Sequence, residues 1–343
     1  MKLLTVVIPT YNMEKYLDNC LQSFVDDTHD LFSRIEILVV NDGSVDGSVE
    51  IAKKYENQYP QIFRLIDKEN GGHGSTINTG IKEATGKYFR VVDSDDWVDT
   101  KNFYFFLEKL QNIDTDIVFT PYVSVDEVTG RKKKFMYNTK GLEKDVVCNI
   151  DEFLKNRQIK MHTITYRTSI LQNNNIHLDE HCFYVDTEYV LFPLKYVKSC
   201  VLINNAVYMY RVNLSTQSCS NEGYFKHCDD HRKVSLHLLE FICGELKEDL
   251  SNCKKRYYYG FILKMLEKQY RIYLMDAPLS GANREDIISF DICIKEQSRK
   301  IYKKISREPY ILELRKRQFR GYVLQKLKFN WLQQKGIYLG LDF

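Results

Sequence analysis

The sequence predicts an α/β domain with a Rossmann-like, mostly parallel sheet and helices on both faces, followed by a helical C-terminal extension. Two observations predict this fold class. Over the first ~125 residues, short apolar runs rich in β-branched residues alternate with polar turns and helical stretches, which is the pattern of strands buried in a parallel sheet. From residue 223 onward, apolar residues recur at helical spacing.

The predicted elements follow one another in a regular order. Strands are expected at Leu3–Ile8, Ile35–Val40, Ile62–Ile66, Tyr88–Val92 and Asp116–Thr120. Helices are expected near residues 14–26, 47–58, 75–85 and 100–112. The mixed pattern after Val123 is expected to complete the sheet. We therefore expect one domain over residues 1–221, with halves at about 1–125 and 126–221, and a helical region over residues 222–343.

The composition excludes several classes of protein. With 343 residues, 44% of them hydrophobic and 28% charged, the chain can bury a real core and is neither disordered nor fibrous. A net charge of +3 lacks the dominant basic field of a nucleic-acid-binding protein. Nine cysteines without a C-x-x-C pair argue against a disulfide framework and a zinc module. The longest run without a charged residue, Ser199–Tyr210, is too short to span a membrane, so we expect a cytoplasmic protein.

Polar turns follow the first three predicted strands, at the edge where open α/β sheets bind ligands. The first turn comprises Pro9, Thr10, Tyr11 and Asn12 and offers a ring and an amide to a nucleobase. In the second, the carboxylate of Asp42 is suited to accept the imide N–H of a base, although it could also only shape the turn and cap the next helix. The third contains Asn70, Gly71 and Gly72, which either expose backbone N–H groups to an anion or form a plain turn.

An acidic turn follows the fourth predicted strand. It reads Asp93, Ser94, Asp95 and Asp96. Three carboxylates this close together repel one another unless a cation joins them, and oxygen ligands suit Mg²⁺ or Mn²⁺. We therefore expect a divalent metal at this cluster of carboxylates, with an acidic helix N-terminus as the alternative.

The four turns together resemble those of the inverting family 2 glycosyltransferases, which have the GT-A fold. The resemblance covers residues 3–215 and depends most on Val7–Asn12, Asn41–Ser44, Asn70–Gly74 and Asp93–Asp96. It implies transfer of a sugar from a nucleoside diphosphate donor, a UDP-sugar, to a glycan, lipid-linked or small acceptor. It further implies that Asp42 contacts the base, that Asp93 lies near the ribose, and that Asp95 holds the Mn²⁺ or Mg²⁺ that bridges the diphosphate.

Inversion also requires a general base that removes a proton from the acceptor hydroxyl. The family commonly has an adjacent Glu-Asp pair on a helix after the sheet, whereas here Thr187 separates Asp186 from Glu188. Alignment of the apolar residues downstream favours Glu188, and Asp186 stays possible. Arg211 resembles the residue of the family's loop near the diphosphate, and a guanidinium suits phosphate. His162 is more typical of a surface histidine.

The C-terminal residues are strongly basic, with 11 basic and 2 acidic residues between Arg299 and Lys328. Phe319, Val323, Leu327 and Trp331 form an apolar stripe beside Lys316, Arg317 and Arg320. Such a segment either contacts an anionic membrane surface peripherally or packs on the protein. Processive relatives carry a Q-x-x-R-W motif and membrane helices, and the sequence has neither, so we expect addition of single sugars.

Two rival functions stay open at this point. A nucleotide-sugar-binding scaffold would keep the fold without turnover. A nucleotidyltransferase would also use carboxylates and Mg²⁺, but it would normally need a glycine- and lysine-rich loop after the first strand, where this chain has Pro9–Asn12. Release of the nucleotide from the donor separates an enzyme from a scaffold.

Overall fold

The computed structural model describes residues 1–155, 157–214, 220–247, 249–275 and 284–320. The chain divides into two compact units, Met1–Ser215 and Thr216–Phe343. The sequence predicts this division a few residues later, after residue 221. The first unit is the α/β part and the second is helical, as the sequence predicts.

Eight of the described strands form the main sheet of the first unit, in the order β3-β2-β1-β4-β10-β6-β11-β9. Their bounds are β1 Leu4–Thr10, β2 Ile35–Asp42, β3 Phe63–Lys68, β4 Tyr88–Val91, β6 Ile117–Phe119, β9 Cys148–Asn149, β10 Ile164–Arg167 and β11 Ser199–Leu202. β1 to β4 are parallel, and β10 runs antiparallel between β4 and β6. The chain leaves β1 toward β2 on one side, and β4 lies on the other, so a crevice forms where the order reverses.

A smaller sheet brings the residues after β4 next to a late part of the chain. Its order is β5-β12-β7-β8, with β5 Trp97–Val98, β7 Tyr122–Asp126, β8 Lys132–Phe135 and β12 Tyr208–Val212. β12 pairs antiparallel with β5 and parallel with β7. This pairing sets Tyr208 and Arg211 beside the acidic turn.

Helices cover both faces of the main sheet because the side chains of β1 alternate. Leu4, Val6 and Ile8 join one buried cluster with helices α1 (Glu14–Gln22), α2 (Ser48–Gln58) and α4 (Thr100–Leu110). Val7 points the other way, against α3 (His73–Glu83), where a Cβ on Gly80 would lie 2.4 Å from the Val7 side chain. Glycine therefore lets α3 lie close to the strand. Three short helices complete the unit: α5 Ile150–Leu154, α6 Thr168–Asn173 and α7 Asp186–Leu191.

The second unit consists of amphipathic helices in the residues that the structure describes. They are α8 Asn221–Lys226, α9 Cys228–Glu245, α10 Asn252–Met275, α11 Arg284–Gln297, α12 Arg299–Ile305 and α13 Pro309–Lys316. Arg315 of α13 pairs with the buried Asp291 of α11 at 2.6 Å and lies 3.6 Å from the ring of Tyr302 in α12. The charge of Arg315 thus helps to hold three helices together. Among the described helices, none combines the length and apolar character needed to cross a bilayer.

The apolar stripe predicted beside the basic residues of the C-terminus is not continuous with α13. This helix ends at Lys316, and Gln318 and Phe319 adopt left-handed backbone conformations with φ of 50° and 58°. Phe319 is buried, whereas Arg320 is exposed. The remaining stripe residues, Val323, Leu327 and Trp331, lie outside the described residues. The described part of the stripe therefore packs on its own unit.

Stability should depend on pH through His231, which is buried in α9 and hydrogen-bonded to Gln269 at 2.6 Å. Burial lowers the pKa of His231 to about 3, assisted by the charge of Lys268 and opposed by the Gln269 bond. His231 stays neutral in the folded state but is protonated in the unfolded state. The free energy of unfolding therefore falls as the pH drops below the unfolded pKa of about 6.5. Between pH 7 and pH 5 we expect this group to cost about 2 kcal/mol.

The check is urea unfolding of the wild type and the His231→Gln variant at both pH values. The loss of unfolding free energy from pH 7 to pH 5 should be about 2 kcal/mol smaller in the variant. An equal loss in both proteins would rule out this assignment.

Candidate active site

The four turns named from the sequence meet at one edge of the main sheet. They follow the carboxyl ends of β1, β2, β3 and β4, which lie side by side in the order β3-β2-β1-β4. Parallel strands end at the same edge, so residues distant in sequence become neighbours there. The site is therefore a consequence of the strand order rather than of any single motif.

The carboxylate of Asp42 fixes the backbone of the glycine turn. Its side chain is nearly buried, and its two oxygens accept hydrogen bonds from the backbone N–H groups of Gly71 and Gly72, both at 2.8 Å. Lys68 donates to the same carboxylate at 2.9 Å, and Asn70 donates its side-chain amide to the Asp42 carbonyl. The structure thus brings the predicted residues of the second and third turns together in one hydrogen-bond network.

The glycines of this turn are required by close backbone contacts. Gly72 has a φ of 85°, which favours glycine, and a Cβ there would lie 3.2 Å from the backbone nitrogen of His181. A Cβ on Gly74 would lie 2.1 Å from the carbonyl oxygen of Asp179. The start of α3 therefore lies directly against residues 179–182, which lead into α7.

The first turn is joined to the second. Asn12, with a φ of 53°, donates its N–H to the Ser44 hydroxyl and accepts the N–H of Val45 on its side-chain oxygen, each at 2.9 Å. Pro9 and Thr10 are buried, whereas Tyr11 is 49% exposed. Of the residues predicted to contact a base, Tyr11 and Asn12 lie at the surface, and the Asn12 amide oxygen already serves to fix the turn.

Asp93 is held from two sides. His73, the first residue of α3, lies 2.9 Å from one carboxylate oxygen, and the Tyr208 hydroxyl lies 3.3 Å from the other. Burial favours a raised pKa for Asp93, but the hydrogen bond and charge of His73 outweigh it and hold the pKa below its usual value. Asp93 therefore stays ionised and fixed in orientation.

The Asp96 side chain is buried, and both of its carboxylate oxygens accept hydrogen bonds. One oxygen lies 2.6 Å from the Tyr208 hydroxyl, and the other accepts the backbone N–H of Arg211 at 2.6 Å. Burial and the neighbouring carboxylates raise its pKa. Asp96 thus ties the acidic turn to β12, and Ser94 of the same turn is buried.

Asp95 differs from its two neighbours. In the part of the chain that the structure describes, no other residue donates a hydrogen bond to its carboxylate. Burial and the charge of Asp93 raise its pKa to about 6. A partly buried carboxylate beside a second negative charge attracts a cation, because a cation offsets both the cost of burial and the repulsion.

The donor atoms at the acidic turn fit a hard divalent cation. The Asp93 and Asp95 carboxylates offer the oxygen ligands that Mg²⁺ and Mn²⁺ prefer. A second group of possible ligands, Asp93, Asp96 and His162, has atoms within 4.8 Å of one another. Since both oxygens of Asp96 are already hydrogen-bonded, Asp93 and Asp95 are the better-suited pair.

His162 lies inside the protein, so its interpretation as a surface histidine is wrong. Its ring packs against Tyr210 at 4.3 Å, Tyr208 at 4.8 Å and Tyr122 at 5.4 Å. Burial lowers its pKa to about 4 even though Asp93 is near. Its Nδ1 is buried without a hydrogen-bond partner among the described residues.

Arg211 is fixed beside the acidic turn. Its guanidinium lies 4.9 Å from the ring of Tyr16 and 4.7 Å from the ring of Trp97. It donates from Nε to the Asp95 carbonyl at 2.8 Å and pairs with Glu127. Stacking between two rings and pairing with one carboxylate leave this cation a single well-defined position.

The two candidate bases have different surroundings. Glu188 is completely buried and accepts the backbone N–H of Asp179 at 2.8 Å. Asp186 is partly exposed, and its negative charge is among the causes that raise the pKa of His73, although burial opposes the shift. The charge of Asp186 thus acts on His73, the histidine that binds Asp93.

Sequence reasoning missed two residues that organise the site. His73 stands within the glycine motif, and its position at the start of α3 gave a signal that could have been used. Tyr208 is 115 residues from Asp93 in the chain and bonds both Asp93 and Asp96. Only the pairing of β12 with β5 brings it there, and no local pattern predicts that pairing.

Comparisons with known proteins agree with this geometry. The model of glycosyl transferase family 2 matches residues 5–181, just over half of the chain. The glycosyltransferase EpsJ of Bacillus subtilis is 29% identical over 259 residues, which cover 73% of this chain and 74% of EpsJ. The teichoic acid poly(glycerol phosphate) polymerase of Staphylococcus epidermidis is 31% identical over 222 residues, but this match covers only 28% of that protein.

The fold is also similar to a solved structure. TarS, the poly(ribitol-phosphate) beta-N-acetylglucosaminyltransferase of Staphylococcus aureus, is 24% identical over 249 residues, which cover 41% of its length. The crystal structure of its residues 1–349 with UDP-GlcNAc superposes with a TM-score of 0.66 at 18% identity, over 100% of this chain and 94% of that one. At this identity the similarity establishes the GT-A fold.

Proposed function

The chain belongs to glycosyl transferase family 2 and is a glycosyltransferase, and from this membership we propose that it transfers a single sugar from a UDP-sugar to a glycan acceptor with inversion at the anomeric carbon. The observation that carries the proposal is the position of Asp95 and Asp93 at the crevice between β1 and β4, where no other described residue donates a hydrogen bond to the Asp95 carboxylate. TarS, with the same fold, has been crystallised with UDP and with UDP-GlcNAc.

We assign the donor side to residues that the fold already holds in place. Tyr11 supplies an exposed ring for the base, and Asp42 supports the glycine turn beside it. Asp93, oriented by His73 and Tyr208, is suited to a ribose hydroxyl because it stays ionised and accepts hydrogen bonds. Arg211 is a fixed cation near the expected diphosphate.

Asp95 and Asp93 would hold Mn²⁺ or Mg²⁺. Such an ion, when bound, acts as a Lewis acid that stabilises the negative charge of the departing nucleoside diphosphate. The protein would contribute the carboxylate of Asp93, which His73 and Tyr208 orient, and that of Asp95. Asp96 anchors the acidic turn through Tyr208 and the backbone of Arg211. We keep this metal as a proposal that metal titration tests directly.

We propose Asp186 as the general base, in preference to Glu188. A base must reach the acceptor hydroxyl within hydrogen-bond distance. The partial exposure of Asp186 and its closeness to His73 support this role, whereas the burial of Glu188 and its bond to Asp179 support a structural one. Asp186 would take the proton from the acceptor as that hydroxyl attacks the anomeric carbon.

The acceptor side of the proposal depends on relatives. Two of them are named for polyol-phosphate polymers, poly(glycerol phosphate) and poly(ribitol phosphate). A lipid-linked acceptor and a peripheral contact with the cytoplasmic face of a membrane are further parts of the proposal. The membrane contact concerns only the stripe beyond Arg320, and sedimentation with anionic vesicles tests it.

The function is tested by release of UDP from a panel of UDP-sugars in the presence of Mn²⁺ or Mg²⁺. We expect slow metal-dependent release without acceptor and faster release with it, for one or a few of the sugars. The same donors should raise the melting temperature, since a ligand at 100 times its Kd stabilises by about 2.7 kcal/mol. Binding without release would favour the scaffold, and formation of UTP and a sugar 1-phosphate on addition of pyrophosphate would favour a nucleotidyltransferase.

A further inference from the structure

A surface of the second unit carries exposed cations that have no carboxylate partner among the described residues. We call it the basic face and define it as Lys300, Lys303, Lys304 and Arg307, all exposed, on α12 and the turn after it. Residues 299–307 contain five cations and no acidic residue. None of these five cations forms an ion pair with any residue that the structure describes. The opposite side of α12 buries Ile301 and Ile305.

The like charges of the basic face destabilise α12 as an isolated helix. Lys300 and Lys304, and likewise Lys303 and Arg307, are four residues apart, where like charges repel across one turn. Elsewhere, exposed cations such as Lys54 and Lys109 pair with Asp18 and Asp145. An external anion would relieve this repulsion.

An aromatic ring lies within the basic face. The ammonium of Lys300 is 5.3 Å from the ring centroid of Tyr259 in α10. Burial raises the pKa of the Tyr259 hydroxyl, and the nearby charge of Arg307 opposes this shift. The exposed Arg256 lies one turn before Tyr259 on α10. The ring is thus within cation–π distance of Lys300 and feels the charge of Arg307.

A second group of exposed cations in the first unit has a structural explanation. Residues 131–134 are one arginine and three lysines, all exposed, at the start of β8. β8 is the last strand of its sheet, and lysines on an edge strand prevent pairing with strands of other molecules. No such reason applies to a helix that is already packed on its own unit.

We propose that the basic face binds an acceptor polymer that carries one phosphodiester in each repeat unit, such as a poly(polyol phosphate). The inference rests on the proposed function, because it names the acceptor of that transfer. Repeating phosphates suit cations repeated at each helical turn, and the Tyr259 ring offers an apolar face to the C–H groups between them. A polymer bound by this unit is tethered to the chain that carries the catalytic unit, and tethering raises the effective concentration of an acceptor.

The test measures binding of the full chain to purified poly(glycerol phosphate), without donor, at 50 and 200 mM salt. In one variant, Lys300, Lys303, Lys304 and Arg307 are all replaced by glutamine. The matched control replaces Arg131, Lys132, Lys133 and Lys134 by glutamine and removes the same charge from the other unit. We expect the first variant to bind at least about tenfold more weakly with a flatter salt dependence, and the control to stay within about threefold.

Two further measurements separate this partner from other anions. Tyr259→Ala should weaken binding of poly(glycerol phosphate) but not of inorganic polyphosphate, which has no C–H groups. Equal losses in the two glutamine variants would overturn the proposal. So would equally tight binding of the wild type to double-stranded DNA or to phosphatidylglycerol vesicles, since the face would then recognise anions in general or a lipid surface.

The failure of this inference is distinguishable from the failure of the proposed function. UDP release without acceptor should be unchanged in the basic-face variant, because none of its residues belongs to the candidate active site. If the wild type releases no UDP, the proposed transfer is wrong whatever the polymer binds. If UDP release is normal and the basic-face variant binds polymer as the wild type does, only the present inference is wrong.

Discussion

Asp95→Asn is expected to abolish metal-dependent donor binding and at the same time to make the metal-free protein more stable. Asn keeps the shape of Asp95 but provides a neutral amide, which is a weak ligand for Mg²⁺ or Mn²⁺. Loss of several kcal/mol of charge stabilisation predicts a fall in kcat/KM of about 10²–10⁴-fold. Donor titration by thermal shift, with and without Mn²⁺, and initial rates of UDP release measure both effects.

The gain in stability follows from the raised pKa of Asp95, about 6 in the folded protein. A carboxyl whose pKa is higher in the folded than in the unfolded state destabilises the fold when it is ionised. This penalty is complete above pH 6 and disappears as the pH falls toward the unfolded value near 4. At pH 8 without metal, the free energy of unfolding of the variant should therefore be about 1–3 kcal/mol higher than that of the wild type. This difference should shrink at pH 5.

The matched control is Asp114→Asn. Asp114 also carries a single negative charge, but it is exposed and precedes β6, at the opposite end of the strands from the acidic turn. Its replacement should leave donor binding intact. If Asp95→Asn bound the donor with wild-type affinity in Mn²⁺, Asp95 would not be a metal ligand. If it lost both donor binding and stability, the residue would have a structural role instead.

The fold was predictable because its signals are local. Each strand from β1 to β4 is a short apolar run followed by a polar turn, and the alternation with helices requires a parallel sheet. The second sheet was not predictable in this way. β5 has only two residues, Trp97–Val98, and it pairs with β12, more than 100 residues away. A contact of that range leaves no periodic pattern in the sequence.

The candidate site divides along the same line. The residues named from the turns, such as Asp42 and Asp95, do lie at one edge of the sheet. Some of the partners in the site could not be read from the sequence, because Tyr208 reaches Asp93 and Asp96, and Glu127 reaches Arg211, only through the fold. The prediction that His162 lies at the surface failed for this reason, since its three tyrosine neighbours come from strands that are separate in sequence.

The second large effect is expected at α7, where Asp186→Asn should lower kcat by roughly 10²–10⁴-fold and leave donor affinity nearly unchanged. An amide cannot take the acceptor proton, whereas the groups that hold the donor stay in place. The pH profile of kcat should change as well. In the wild type kcat rises with pH as the base becomes ionised, and this rise should be absent in the variant. Single-turnover rates and donor thermal shifts at several pH values separate these quantities.

Glu188→Gln is the matched comparison, because it makes the same chemical change two residues away. The glutamine oxygen can still accept the Asp179 N–H, so the buried contact persists and most activity should be retained. Residues two apart on a helix point in different directions, so the acceptor can reach only one of the two carboxylates. A large fall in kcat for Glu188→Gln together with an active Asp186→Asn would restore the register favoured by the sequence. The opposite result would mean that Thr187 is an insertion between a structural acid and the catalytic one.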